Sequence, residues 1–306
     1  MSTISEGPAQ AVATVGSLET PAAARSYGET VNIESIADQV IDVKRRRAKR
    51  RRRTFLGIRI VSLIVVFGAW QLYGMHTIAI LFAPITTVIQ QGYELFAHQG
   101  LWNQLVYSLV SLAFGYSIGV IVGITLGMLM GAYRAAEAAL SIYVFALYAT
   151  PMVALVPIIT LWIGFNQTAQ IVIISLFVTW PMTVTVFNGV RQIDPELIEV
   201  SRSLRLNRAQ MWRHVLLPGA IPYIFTGAVQ GIAMGLVGVI ISQLQTELSG
   251  LGDALQTQSQ TYHTAAALAV VLVIMVLGIS MRALLTLAQR RAVPWMRLDR
   301  GDGKSS

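Results

Sequence analysis

An all-α integral membrane protein with six transmembrane helices and cytoplasmic N- and C-termini is the fold class this sequence predicts, on three observations. Of the 306 residues, 54% are hydrophobic and only 12% charged, with a mean hydropathy of +0.60, whereas soluble domains carry about 25% charged residues. Six apolar runs approach the roughly 20 residues needed to cross about 30 Å of hydrocarbon at 1.5 Å per residue. All 23 lysines and arginines lie in five places outside or at the edges of those runs.

The predicted spans are 55–73, 105–130, 140–163, 169–188, 223–244 and 264–285. The basic places are Arg25, the cluster from Lys44 to Arg53 with Arg59 beyond it, Arg134, the stretch from Arg191 to Arg213, and the tail from Arg282 to Lys304. The loops after the first, third and fifth spans carry no lysine or arginine. Basic residues are retained on the cytoplasmic side of short loops, so the alternation places both termini in the cytoplasm. Three regions follow: a basic N-terminal segment 1–53, a transmembrane domain 54–288 with a cytoplasmic loop 190–221, and a tail 289–306.

Residues 1–43 are rich in Ala, Ser, Thr and Glu and are expected to lack a fold of their own, apart from a helical spacing at Ile33, Ile36, Ala37 and Val40. The following KRRRAKRRRR, Lys44 to Arg53, sits directly against a span. Such placement marks an orientation signal that touches anionic lipid, with no nucleic acid as partner.

In the second span Gly115, Gly119, Gly123, Gly127 and Gly131 recur every four residues, which lines one helical face and favours close helix packing. Gly227, Gly231, Gly235 and Gly238 repeat the pattern in the fifth. The third span contains Pro151 and Pro157. Each removes a backbone donor and clashes with the carbonyl four residues earlier. Broken backbone at membrane depth is tolerated where protein or a wet cavity shelters it, so this helix is expected inside the bundle.

No Asp, Glu, Lys or Arg occupies the middle of a span, although coupled carriers commonly use such groups. There is no cysteine and no His-Glu-x-x-His pair, and the four histidines are dispersed, so no catalytic or metal site is expected. A near-match to a phosphate-binding loop ends at Gly303-Lys304-Ser305, but Leu298 replaces its first glycine. The chain is therefore expected to carry no energy-converting chemistry of its own, and energy is expected from a partner.

The loop before the fifth span is the most patterned polar segment. Asp194-Pro195 is a helix start, because the carboxylate accepts a free N–H and proline needs no donor at the first helical position. Glu196 and Glu199 suit the positive end of that helix. Leu197, Val200 and Leu204 are spaced three and four apart and predict a buried stripe. Asn207 with Gln210 three residues later forms a capping box for a second helix, which presents Arg208, Trp212, Arg213 and His214 outward. That helix is expected to end near Leu217, since the residue before Pro218 disfavours helical geometry.

This segment resembles the Glu-Ala-Ala loop of ABC importer permeases, through Glu199, Val200 and Ser201, Arg205, and Leu217-Pro218. The stretch 72–278 resembles the nitrate, sulfonate and taurine branch of the binding-protein-dependent family. It carries Pro151, Pro157, Trp162, Gly164, Gly189-Val190, Arg202 and Gly250-Leu251-Gly252 in the family's order. The resemblance implies a type I ABC importer permease fold in a bacterial cell membrane. It also implies a second permease copy, cytoplasmic ATPase subunits that use ATP and Mg, and an extracytoplasmic substrate-binding protein. The chain itself binds no cofactor in that scheme, and its cargo is a small organic or inorganic anion.

The ATPase-coupling residues implied are Glu199, Ser201, Arg202, Leu204, Arg205, Leu206, Asn207, Met211, Trp212, His214, Leu217 and Pro218. Glu199 would hold the loop's internal fold, and Leu204, Leu206, Met211 and Trp212 would supply apolar contact. Arg205 stands where the family has glycine, and Gln243 where branch members commonly have Glu. Candidate pathway residues are Thr150, Pro151, Thr183, Asn188, Gln230 and Gln243, chosen as polar or helix-breaking positions in or near spans. The competing class is a carrier or channel that works without an ATPase.

Overall fold

The computed structural model describes residues 33–246 and 249–292, with the backbone alone at 33–53, 56, 202 and 292. The expectations for residues 1–32 and for the tail beyond 292 lie outside the described residues, as do the side chains from Lys44 to Arg53. Among the described residues every regular element is helical. One compact unit ends at Val66 and the other begins at Phe67. The first contains most of α1, Ile33–His76, whose apolar side chains from Ile58 to Val66 are exposed.

In the second unit, α2 (Ile85–His98) and α3 (Leu101–Ala132) are followed by α4 (Arg134–Ala149) and α5 (Val156–Ile163). Then come α6 (Gln167–Arg191), α7 (Pro195–Ser203), α8 (Arg208–Met211), α9 (Leu217–Thr246), α10 (Leu251–Gln260) and α11 (Thr264–Ala292). Five helical stretches are long and apolar enough to cross a membrane, and a sixth arises if the bent α4–α5 pair counts as one span. Neither α2 nor α10 was legible as an element in the sequence. They are 14 and 10 residues long, too short to cross the hydrocarbon. Both pack into one apolar cluster, where Val88 and Leu95 meet Leu101, Leu251, Ala266 and Val270.

Helix α6 is the centre of the bundle. A Cβ built on Gly115 would lie 2.6 Å from Ile174 Cβ, and one on Gly123 would lie 2.6 Å from Met182 Cβ. Gly119, Gly127 and Gly131 meet Val178, Val186 and Val190 in the same way. The two helices therefore run parallel in a fixed register, and the register continues to Ser111 and Gln170, 59 positions apart, whose side chains hydrogen-bond at 3.4 Å. On another side of α6 the order reverses. Gly227 approaches Met182, Gly231 and Gly235 approach Val178, and Gly238 approaches Ile174 and Phe177. Helix α9 is thus antiparallel to α6. Removing side chains lets backbones close in, which is how helices gain van der Waals contact where lipid supplies no hydrophobic drive.

The predicted third span is corrected. It is not one helix inside the bundle but two segments, Arg134–Ala149 and Met152–Ile163, bent by 91°. Pro151 biases Thr150 away from the helical region, and Thr150 is extended (φ −71, ψ 132). A short 3₁₀ turn, Met152–Leu155, leads into α5, where Pro157 sits harmlessly in the first turn. Only one side of the pair is covered: Val144, Val156 and Thr160 are buried, while Ile142, Tyr143, Leu161 and Trp162 face outward.

A test of the glycine register is Gly123→Ala, expected to lower the unfolding free energy in detergent by about 1–3 kcal/mol, because an added methyl cannot fit the α3–α6 contact. Gly68→Ala, where a Cβ meets nothing within 4 Å, is expected to be neutral or mildly stabilising. Equal responses from the two would contradict the register.

Candidate functional site

The loop between α6 and α9 is built from local signals. Asp194 Oδ1 accepts from Glu196 N at 2.9 Å and starts α7. The helix ends through a Schellman-type closure, with Leu206 N donating to the Ser201 carbonyl at 3.2 Å around a left-handed residue. That residue is Arg205, with φ 53. Arginine thus adopts the backbone geometry for which the family glycine is suited, against the Cβ–carbonyl repulsion of about 1–2 kcal/mol. Asn207 Oδ1 then accepts from Gln210 N at 2.8 Å while Gln210 Oε1 accepts from Asn207 N at 2.9 Å, completing the capping box.

The second loop helix does not end at Leu217. Arg208–Thr246 forms one continuous helical stretch, in which Trp212–Leu216 is a π-turn. The widened turn relaxes the packing of carbonyls just before Pro218, which lies in the first turn of α9 with its missing donor. No break therefore separates the end of the loop from a spanning helix.

The faces of α7 are the reverse of those read from spacing. Leu197, Val200 and Leu204 are 57%, 55% and 69% exposed, whereas Ser201 is 5% exposed. Ile198 turns inward with Ile193, onto a floor of Val186, Val190, Leu216 and Ala220. Met211, Trp212 and Val215 pack on the same floor, and Trp212, expected as a surface group, is half-buried with its Nε1 donating to Tyr133 Oη at 3.0 Å. Leu206 is half-buried. His214, Leu217 and Pro218 are exposed, as are Arg205 and Asn207. Glu199 is also exposed and makes no ion pair or side-chain hydrogen bond among the described residues. The loop is held instead by the caps and the Ser201 carbonyl. The side chain of Arg202 lies outside the described residues.

The candidate pathway residues separate into two groups. Thr183 and Gln243 are fully buried and so are not free to line a pathway in this state. Thr183 Oγ1 donates to the Thr179 carbonyl at 2.8 Å. Gln243 Oε1 accepts from Ser108 Oγ at 3.0 Å and from Gly252 N at 2.9 Å, and Ser108 Oγ accepts from Leu251 N at 2.8 Å. These bonds tie the start of α10 to α3 and α9. They also explain the Gly250-Leu251-Gly252 run. Gly250 has φ 144, and a Cβ there would sit 2.4 Å from the Gln243 amide.

Asn188 and Gln230 are exposed, and Gln230 Oε1 accepts from Thr185 Oγ1 at 2.9 Å. Thr185 lies one turn before Asn188, and Thr226 lies one turn before Gln230, also exposed. The pair α6–α9 thus carries a polar face, including two threonines that hydropathy alone did not single out. Outward polar groups are unfavourable against hydrocarbon, so this face requires water or protein opposite it. Thr150 caps α4, its Oγ1 donating to the Ala146 carbonyl at 2.8 Å, and Pro151 marks the bend. The structure does not bring these two into the α6–α9 face through any described hydrogen bond.

Residues 119–294 match the family described as Binding-protein-dependent transport system inner membrane component. A putative aliphatic sulfonates transport permease protein of Bacillus subtilis is 27% identical over 76% of this chain and 84% of the relative. A probable ABC transporter permease protein of Brucella melitensis is 30% identical over 80% of this chain and 99% of the relative. A crystal structure of an amino acid ABC transporter with histidines shares the fold at a TM-score of 0.52 and 22% identity. It covers 62% of this chain and 93% of that one.

Two expectations follow from the site's geometry. Replacing Arg205 with Gly is expected to stabilise the turn by about 1 kcal/mol, read as slower amide exchange at the Leu206 N–H. Gln243→Met leaves two buried donors without their acceptor and is expected to lower the unfolding free energy by about 1–3 kcal/mol. A melting temperature equal to that of the parent would show that Gln243 does not hold α10.

Proposed function

The chain belongs to the family of binding-protein-dependent transport system inner membrane components, and on that premise we propose how this subunit couples to its partners. It is the multi-pass inner-membrane permease subunit of an ABC importer and carries no catalytic residue. The coupling surface is the outward face of α7. Leu197, Val200 and Leu204 form an apolar stripe on a loop held rigid by two caps. Unpartnered apolar side chains of that size, on a loop that also exposes Arg205, Arg208 and Arg213, suit a complementary protein groove. A cytoplasmic ATPase subunit, using ATP and Mg, occupies that position, and the exposed arginines contribute charge pairs that are individually weak.

Two copies of the chain assemble around a central pathway. The reading is supported by the bent α4–α5 segment, whose broken backbone lies at the surface of a single copy and needs protein opposite it. The polar α6–α9 face with Thr185, Asn188 and Gln230 borders the pathway. An extracytoplasmic binding protein delivers the cargo, a small anion of the sulfonate, taurine or nitrate type, in keeping with the aliphatic sulfonates named for one relative. The basic run from Lys44 to Arg53 contacts anionic lipid on the cytoplasmic side.

The single observation that carries the coupling assignment is the outward orientation of the α7 stripe. Leu197→Glu/Val200→Glu/Leu204→Glu is expected to abolish co-purification of the ATPase and to cut hydrolysis stimulated by loaded binding protein by about ten-fold or more. Yield and dimerisation of the permease should stay at the parent level. Undiminished stimulation in proteoliposomes would refute the docking face.

A further inference from the structure

We propose that the α3–α4 turn, through Tyr133 and Glu137, is the link that carries movement of the α6–α9 loop to the bend at Thr150–Pro151. The inference rests on the loop being the ATPase-docking element, and it concerns what lies beyond that contact. Tyr133 is the one extended residue between α3 and α4, with φ −126 and ψ 117. From this turn two side chains reach the loop. Glu137 Oε1 accepts from Arg191 Nη1 at 2.6 Å, and Tyr133 Oη accepts from Trp212 Nε1 at 3.0 Å, with the two rings 6.0 Å apart.

Arg191 is the last residue of α6, where the chain leaves the membrane helix for the loop. Trp212 opens the π-turn, where the loop passes into α9. Both ends of the loop are therefore tied to one turn. Beside the ion pair lies a cavity of about 430 Å³, lined by Glu137, Arg191, Ile198, Met211 and Leu216 among others. Beside that space the connection between loop and turn is made by the ion pair, by the Trp212–Tyr133 hydrogen bond and by the contact of their two rings. Arg191 is steadied by the Phe187 ring, 5.6 Å from its guanidinium carbon, and Phe187 meets Phe145 of α4 edge-on at 6.1 Å.

Helix α4 has 16 residues and ends at the 91° bend. Helix α4 is tied to the loop at its start and packs through Leu140, Val144 and Phe145 on the end of α6, so a displacement of the loop shifts it as a unit towards the interruption at its other end. The ion pair is partly exposed on both sides, and such pairs add little to stability. Its contribution here is positional.

The absence of cysteine allows a direct test. In the permease–ATPase complex, Thr150→Cys is alkylated with N-ethylmaleimide with and without MgATP and orthovanadate. The rate is expected to differ about five-fold or more between the two states. Adding Tyr133→Phe and Glu137→Gln is expected to reduce that ratio below about two-fold while the ATPase stays bound. The charge swap Glu137→Arg/Arg191→Glu is expected to recover at least half of what Glu137→Arg alone removes.

An unchanged ratio in the Tyr133→Phe/Glu137→Gln background would overturn the link, as would a swap that recovers nothing. Loss of bound ATPase from that variant would also overturn it, because the contacts would then serve only to hold the loop's shape. Failure of the docking face itself is seen separately, when the α7 triple variant retains the ATPase.

Discussion

The seating of α6 between two glycine-lined helices is the constraint on which the rest of the structure depends. Five glycines of α3, one per turn, admit Ile174, Val178, Met182, Val186 and Val190, while four glycines of α9 close on another side in the opposite direction. Because each contact is within the reach of a single methyl, α6 has one register against each neighbour. That register places Gln170 against Ser111 and Thr246 at one end. At the other end it places Val190, Arg191 and Ile193 beneath the loop. A slip of one turn would move all of these together.

Polar side chains within the bundle divide according to what surrounds them. Ser108, Ser111, Gln170, Gln243 and Thr246 are buried and bonded to one another or to the α10 backbone. In a medium without water such bonds fix geometry, since the alternative is an unpaired polar group. Gln243 supplies through its neutral amide oxygen the acceptor that the start of α10 requires, and in a single stroke it fastens three helices. Thr185, Asn188 and Gln230 have the opposite character. They face outward from two tightly packed helices, and their placement makes sense only beside water or a second copy.

The loop shows how a connection becomes a lever. Its two caps and the left-handed Arg205 give it a single shape, and its underside is anchored by Ile193, Ile198, Met211 and Trp212 to the ends of α6 and α9. The π-turn leaves no break between loop and span. With the underside fixed, Leu197, Val200 and Leu204 remain as an outward apolar face on a stiff support. In the proposed coupling, a force applied to that face reaches α9 along the helix and α4 through Glu137 and Tyr133.

Five of the six spans, the caps at Asp194 and Asn207 and the glycine stripes were determined by the sequence itself, while residue 205 was marked as special through the family resemblance. Hydropathy, capping and backbone sterics act within a few residues and leave a local trace. The tertiary structure alone decided which face of α7 is covered. That helix of nine residues, with Leu204 just beyond its end, offers Leu197, Val200 and Leu204 on one side and Ile198 with the small Ser201 on the other. Its own spacing favours the first, but the floor made by Val186, Val190, Leu216 and Ala220 accepts the second. The 91° bend after Ala149, the short helices α2 and α10, and the passage of Pro218 into a continuous helix are of the same kind. Each depends on residues distant in sequence or on a turn that relieves a local clash, so no window along the chain contains the balance that settles it.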